Sequence, residues 1–349
     1  MVAARVARLE SIRTRHVVVV IGLAALFAPA PRAEAHHSLA IYSNDFIELE
    51  GELLSIAWHN PHVILELKTS GEDGKARTWR MEGGSVTTLR RAGVTQALLS
   101  VGDRVKIAGL PSRRDPFMLA LTNLLLPDNR ELQFLTNAPA RFTSAERLVR
   151  GSQRAVDARS ENRGIFRVWS VPVPNPAGTA ALRNLPFTRE AIAARASFDL
   201  LDNFATRCEP EGMPRLMFNP HPFEFIDRGH TIVLRAELYD TERTIHINGS
   251  AATANEPRSR LGYSIGRWDG ATLVVTTTRI DWPFFDNSGT PQSTAVEIVE
   301  RYELSDDQTQ LSFRVMVTDP STFTAPAVIE GHWLALGQTI DRYDCQAGN

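Results

Sequence analysis

The chain has 349 residues, 38 Lys and Arg against 40 Asp and Glu, a formal charge of −2, and 43% hydrophobic residues. That length suits more than one packed unit of the usual ~100–200 residues, and the balance of charge lacks the basic excess that nucleic-acid binding requires. Two cysteines without a CxxC spacing exclude a thiolate zinc site or a redox dithiol motif.

Residues 1–35 read as an export signal. Arg5, Arg8, Arg13 and Arg15 give a positive start, residues 17–26 (VVVVIGLAAL) form an apolar core too short to span a bilayer, and Ala33-Glu34-Ala35 places small side chains at the cleavage positions. A cut after Ala30 leaves Pro31 beside the scissile bond, so cleavage is expected after Ala35, with His36 first in the mature chain. Losing 5 Arg and 2 Glu takes the charge to −5, and no second long apolar run follows. The expectation is a periplasmic or secreted protein with no membrane span after signal removal and no nucleic-acid partner.

The fold class is expected to be mainly β. In residues 36–136, segment 46–58 alternates with Gly51 as a bend, 63–68 follows, and Gly71-Glu72-Asp73-Gly74 turns the chain into 77–82. Ser85 then caps a helix over VTTLRRAG that Gly93 stops, and 104–109 and 117–126 supply two more strands. Three strands, a helix and two strands is the order of an OB-like small barrel. Residues 137–163 are charged and read as a linker or exposed helix, and a Pro-rich stretch at 171–178 precedes a helix over about 188–204. In residues 164–349, short strands at 231–238, 243–248, 262–268, 272–280, 295–304, 310–318 and 328–336 predict an antiparallel calycin-like barrel or curved sheet. Cys208 and Cys345 bracket this region and are expected to pair, a closure worth about 4 kcal/mol in the chain-entropy model.

Four histidines fall in two pairs near the expected mature start, His36-His37 and His59-Asn60-Pro61-His62. An N-terminal histidine chelates through its α-amine and Nδ1, and one more imidazole completes a three-nitrogen set suited to copper. Amine and imidazole, with ordinary pKa values near ~8 and ~6.5, lose their protons at small cost near neutrality. A cut one residue earlier leaves histidine third, a square-planar Cu(II) or Ni(II) pattern. The Asn-Pro step is a turn former that lets His59 and His62 converge, and Trp58 and Pro61 offer an apolar surround. The competing reading is a solvated start and two backbone-bonded histidines; His221, His230, His246 and His332 read as structural.

The runs AHHS at 35–38, WHNPHV at 58–63, MEGGS at 81–85, GDRVKIAG at 102–109 and LPD at 126–128 resemble an uncharacterised exported bacterial family with an AHHS start and a W-x-N-P-H motif. The resemblance covers about 36–135, implies export and the limits of the first barrel, and carries no activity. The second region, with CEPEGMPRLM at 208–217 and VERYEL at 299–304, is similar to the companion region of such proteins.

Gly262-Tyr263-Ser264-Ile265-Gly266 matches G-x-S-x-G, with Asp281 and His332 in the chain order of a hydrolase triad. That motif requires strand, sharp turn and helix, and here the next residues turn into another β run, so Ser264 is not read as a nucleophile. A ligand cavity is expected instead inside the second barrel, with Glu237, Arg243, Asp281, Trp282 and Glu300 as its candidate residues and Phe218, Phe223, Phe225 and Phe284 lining it; the competing reading puts the charges on a solvated outer face of the sheet, and Glu237, Asp281 and Glu300 are expected to face solvent or pair with Arg if the barrel only binds. Glu237 is expected to share a strand face with Arg235. The leading function is a periplasmic binding protein for a metal or small molecule, with copper held by His36, His37, His59 and His62 and an apolar ligand in the second barrel. The alternative is an enzyme, either a copper-dependent oxidoreductase or an isomerase or hydrolase in the second barrel.

Overall fold

In the first half, alternation of apolar and polar residues builds strands with one face turned inward. β1 (Ile47–Ala57), β2 (Ile64–Ser70), β3 (Ala76–Glu82), β4 (Arg104–Pro111), β5 (Met118–Leu125) and the short β6 (Glu131–Gln133) lie in the order β3-β2-β1-β4-β5-β6, and a parallel pairing of β3 with β5 closes the first five into a barrel. This is the OB-like arrangement the sequence predicts. Gly51 is required by close approach, since a Cβ there would sit 2.2 Å from Lys68 O across the β1–β2 pair. The interior is apolar throughout, with Leu53, Leu65, Leu67, Met81, Ile107 and Leu121 fully buried, each contributing ~1.5–3 kcal/mol. Between β3 and β4 runs α1 (Val86–Arg91), whose Ser85 cap accepts a hydrogen bond from Thr88 N and whose Leu89 joins the barrel core.

The second barrel closes nine strands: β7 (Val168–Ser170), β8 (Phe223–Asp227), β9 (Thr231–Ala236), β10 (Thr241–Ile247), β11 (Tyr263–Asp269), β12 (Thr272–Thr278), β13 (Glu297–Leu304), β14 (Gln310–Thr318) and β15 (Ala327–Leu336). Neighbours are antiparallel except β10 and β11. It is calycin-like in architecture. Of the expected helices, α2 (Arg189–Ser197) forms with Thr188 as its cap, and the start of the expected linker holds only a 3-10 turn at Ala145–Arg147.

The computed structural model describes residues 42–43, 45–71, 73–113, 115–135, 138–149, 163–172, 182, 184–199, 204, 208–249, 255–336, 340 and 342–345. All of them belong to the unit Ala35–Asn349. The expected signal lies outside the described residues. Among them no helix is long and apolar enough to cross a membrane.

Aromatic rings pack against one another in the core of the second barrel. Phe313 stacks on Trp333 at 4.2 Å, Phe223 meets the same indole edge-on at 4.7 Å, and Phe225 meets Tyr302 at 5.4 Å. Phe218 packs on Phe313, while Trp282 and Phe284 pack on Phe204. These rings contact one another as core. Inside the barrel Arg243, 1% exposed, donates from both terminal nitrogens to Glu300, 0% exposed, from Nε to Ser264 Oγ at 3.0 Å and from Nη2 to Thr277 Oγ1 at 2.7 Å. The Tyr302 hydroxyl donates to the same carboxylate. Burial alone would lower the Arg243 pKa, and the adjacent Glu300 outweighs it and holds it raised. Ser264 is thus a hydrogen-bonded member of a strand layer; Asp281 and His332 are exposed, and no triad exists.

Candidate functional site at the junction of the barrels

Residues 58–62 (WHNPH) lie in the β1–β2 loop, and the two histidines bond to different groups. His59 Nδ1 lies 3.1 Å from its neighbour Asn60 O, while His62 turns Nδ1 to Gly83 O at 3.0 Å and Nε2 to Glu82 at 3.4 Å. Glu82 also accepts from the Tyr42 hydroxyl at 2.9 Å, and burial, reinforced by that carboxylate, pushes the Tyr42 pKa up. Among the described residues no group of three or more His, Cys, Asp or Glu can hold a metal ion. The copper site, the copper cofactor and the binding function built on them are therefore corrected; His36 and His37 lie outside the described residues.

Asn60 is the motif residue that joins the two barrels. It is 6% exposed, donates from Nδ2 to Tyr343 O at 2.7 Å, and accepts at Oδ1 from Val86 N at 3.0 Å, one of the amides that the first turn of a helix leaves without an internal acceptor. α1 continues the connection. Thr87 Oγ1 donates to Glu237 Oε1, and Arg91 donates to Ser170 Oγ and, at 2.5 Å, to Pro220 O. Burial pulls the Arg91 pKa down to about 10 against the field of Glu237.

Glu237 was expected on a strand face with Arg235. The strand ends at Ala236, so Arg235 stays outside, paired with Glu224 at 2.7 Å, and Glu237 begins a turn directed at the first barrel. His221 Nδ1 lies 3.3 Å from Glu237 Oε1. Burial lowers the His221 pKa, with Glu237 opposing, so this imidazole is neutral at pH 7. Glu211 pairs with Arg215 at 3.4 Å, yet burial outweighs that partner and raises its pKa. The Tyr343 ring stands edge-on to His221 at 5.1 Å and to Tyr239 at 5.0 Å, and burial raises both phenols. Among the described residues, Arg91 Nε, Glu211 Oε2 and Glu237 Oε2 are buried without hydrogen-bond partners. Cys208 (φ 54°), Tyr239 (φ 55°), Asp240 (φ 48°) and Asp344 (φ 46°) adopt the left-handed backbone here, each costing ~1 kcal/mol or more. Cys208 and Cys345 form the expected disulfide, across 137 residues.

Beside the junction, Trp58, Val86, Arg90, Val94, Thr95 and Gln96 line an open groove of about 590 Å³ on the first barrel. Val86 and Arg90, four apart, border the groove, while Thr87 and Arg91, also four apart, are bonded into the second barrel. Sequence reasoning found Trp58 only as a surround for histidines. It missed Thr87, Arg91 and Glu211 and read His221 as structural; Thr87 and Arg91 find their partners only through the packing of one barrel on the other.

Residues 25–117 match a family of unknown function, DUF6152. The matched segment holds β1 to β4, α1 and the loop carrying Asn60, and the second barrel lies beyond it. No curated protein matches the chain.

Proposed function

We propose that this chain is an exported recognition protein whose contact surface is the groove on the α1 side of the first barrel, with the filled second barrel as its support. One observation carries the reading: the same short helix walls the groove with Val86 and Arg90 and is fastened to the second barrel by Thr87 and Arg91. A surface built that way is pre-organised, which lowers the ordering cost of binding. Trp58 gives a flat apolar wall, Arg90 is the charged group of the lining, and Thr95 and Gln96 add hydrogen-bonding capacity. That set matches a small molecule with a planar apolar body and a carboxylate. Export is supported by the positive start, the apolar core and the Ala-x-Ala site of residues 1–35, and by the disulfide, which persists in oxidising compartments.

The test is an NMR titration with 2-naphthoate beside its neutral analogue 2-naphthol. Shifts are expected at the Trp58 indole N–H and the amides of 86–97, with Trp58→Ala weakening naphthoate at least about tenfold, as loss of an aromatic anchor does. Shifts elsewhere, or affinity indifferent to Trp58→Ala, overturn the groove reading.

A further inference from the structure

The segment 343–345 is a strap that lies across both barrels. Its Tyr343 is 2% exposed, donates from its backbone N to Asp240 Oδ1 at 3.1 Å in the second barrel, and accepts at its carbonyl from Asn60 in the first. Two residues on, Cys345 makes an isolated parallel bridge with Asn60 and is tied covalently to Cys208. The Asn60 amide is consequently held at both ends, its nitrogen by the strap and its oxygen by Val86 N, the first residue of α1. Trp58, two residues before Asn60, and Val86 border the groove.

We infer that this disulfide-fastened strap regulates the groove: while Cys345 is tied to Cys208 the strap clamps Asn60, and Asn60 sets the separation of Trp58 from α1. This rests on the groove as the contact surface and adds the control of that same site. Releasing the strap removes the acceptor of Asn60 Nδ2 and leaves a nearly buried amide to find another partner, which it does by moving its loop or by exposing it. The release is a two-electron step. A dithiol attacks the bridge and departs as its own cyclic disulfide, and the two sulfurs of Cys208 and Cys345 each end with a proton.

Hydrogen exchange and naphthoate titration of the full chain test this together, with the bridge intact, with the bridge reduced by dithiothreitol, in Cys345→Ser, and in Asn60→Ala with the bridge intact. On release, amide exchange over 84–97 is expected to rise about tenfold while that over 297–318 stays fixed, the pattern of a local opening. Naphthoate affinity is expected to fall about fivefold with it, and Asn60→Ala should reproduce both changes. If release leaves exchange over 84–97 and naphthoate affinity unchanged, the strap inference is overturned, although a Trp58-dependent affinity would still uphold the groove. If naphthoate binds without regard to Trp58, the groove reading fails, and regulation of that site fails with it whatever the exchange shows. Should Cys345→Ser also raise exchange over 297–318, Asn60→Ala decides: unchanged exchange and affinity in that variant overturn the inference.

Discussion

The two barrels solve the problem of a closed sheet's interior differently. Five strands enclose a space that aliphatic side chains fill, so the first barrel buries Leu53, Leu65, Leu67 and Ile107 and needs no polar group inside. Nine strands enclose more, and the second barrel fills it with Trp169, Trp333, Tyr302 and a charged pair, Arg243 and Glu300. Packing the core of a wider barrel thus draws on large side chains, and the guanidinium is tolerable because Ser264, Thr277 and Glu300 meet its donors. An inward charge in such a barrel is a packing element with strict partners.

That contrast breaks most sharply at the pair. Glu300→Ala leaves Arg243 buried without its counter-ion and is expected to cost ~3–5 kcal/mol in urea unfolding, whereas Arg243→Met with Glu300→Leu is expected to recover most of the loss. A double variant no more stable than Glu300→Ala would contradict the view that the pair serves packing. In the apolar barrel Leu65→Ala is expected to cost ~2–4 kcal/mol, with no partner substitution able to repair it.

A carboxylate in a ring of uncharged donors also stands on β6, at the margin of the first barrel, and another just after β14 of the second, which sharpens the comparison. Glu131 accepts from the backbone N–H groups of Arg141, Phe142 and Thr143 and from Asn123; Asp319 accepts from Ser293 N, Ser321 N and the hydroxyls of Ser293, Ser321 and Thr322. Burial would raise both pKa values, and the donors outweigh it and hold both below the usual carboxylate range. Their contribution is complete above the unfolded value near ~4 and disappears as pH falls through the depressed folded value. Glu131→Gln and Asp319→Asn are each expected to cost ~1–3 kcal/mol at pH 7 and to flatten the acid side of the stability profile. Unfolding monitored from pH 7 to pH 2 checks this, and an unchanged acid limb contradicts it.

The smallest effect is expected where the barrels meet. His221 is neutral in the fold with a lowered pKa, so the unfolded chain binds more protons as pH drops below ~6.5, and the junction weakens on acidification until the folded value is passed. Between pH 7 and 5.5 the junction is expected to weaken, read as faster amide exchange over 84–97. His221→Gln should remove that dependence, and a pH response surviving the substitution would assign it elsewhere.

Much of this fold was legible from local signals. Alternation marked β1 to β5 and most of the second barrel, Ser85 announced α1, and two cysteines without other partners announced their bridge. β7 escaped because three residues carry no periodicity, and β8 because its apolar start adjoins a Pro-rich turn. The site was misread for a different reason. Histidines draw attention in WHNPH because imidazole binds metals, yet the bonds that matter belong to Asn60, and nothing near it in sequence names a partner 283 residues away. Glu237 was placed inside the barrel because alternation was carried one residue past the end of its strand.

That separation fixes an order of events. Asn60, Val86 and their helix can take their places in the first barrel once β5 has been made, but the carbonyl that fastens Asn60 belongs to one of the last residues described. Contacts so distant in sequence form late, after the local hairpins of either barrel. A growing chain therefore completes its groove wall last, and a molecule shortened before Tyr343 would carry two finished barrels and an unfinished seam between them.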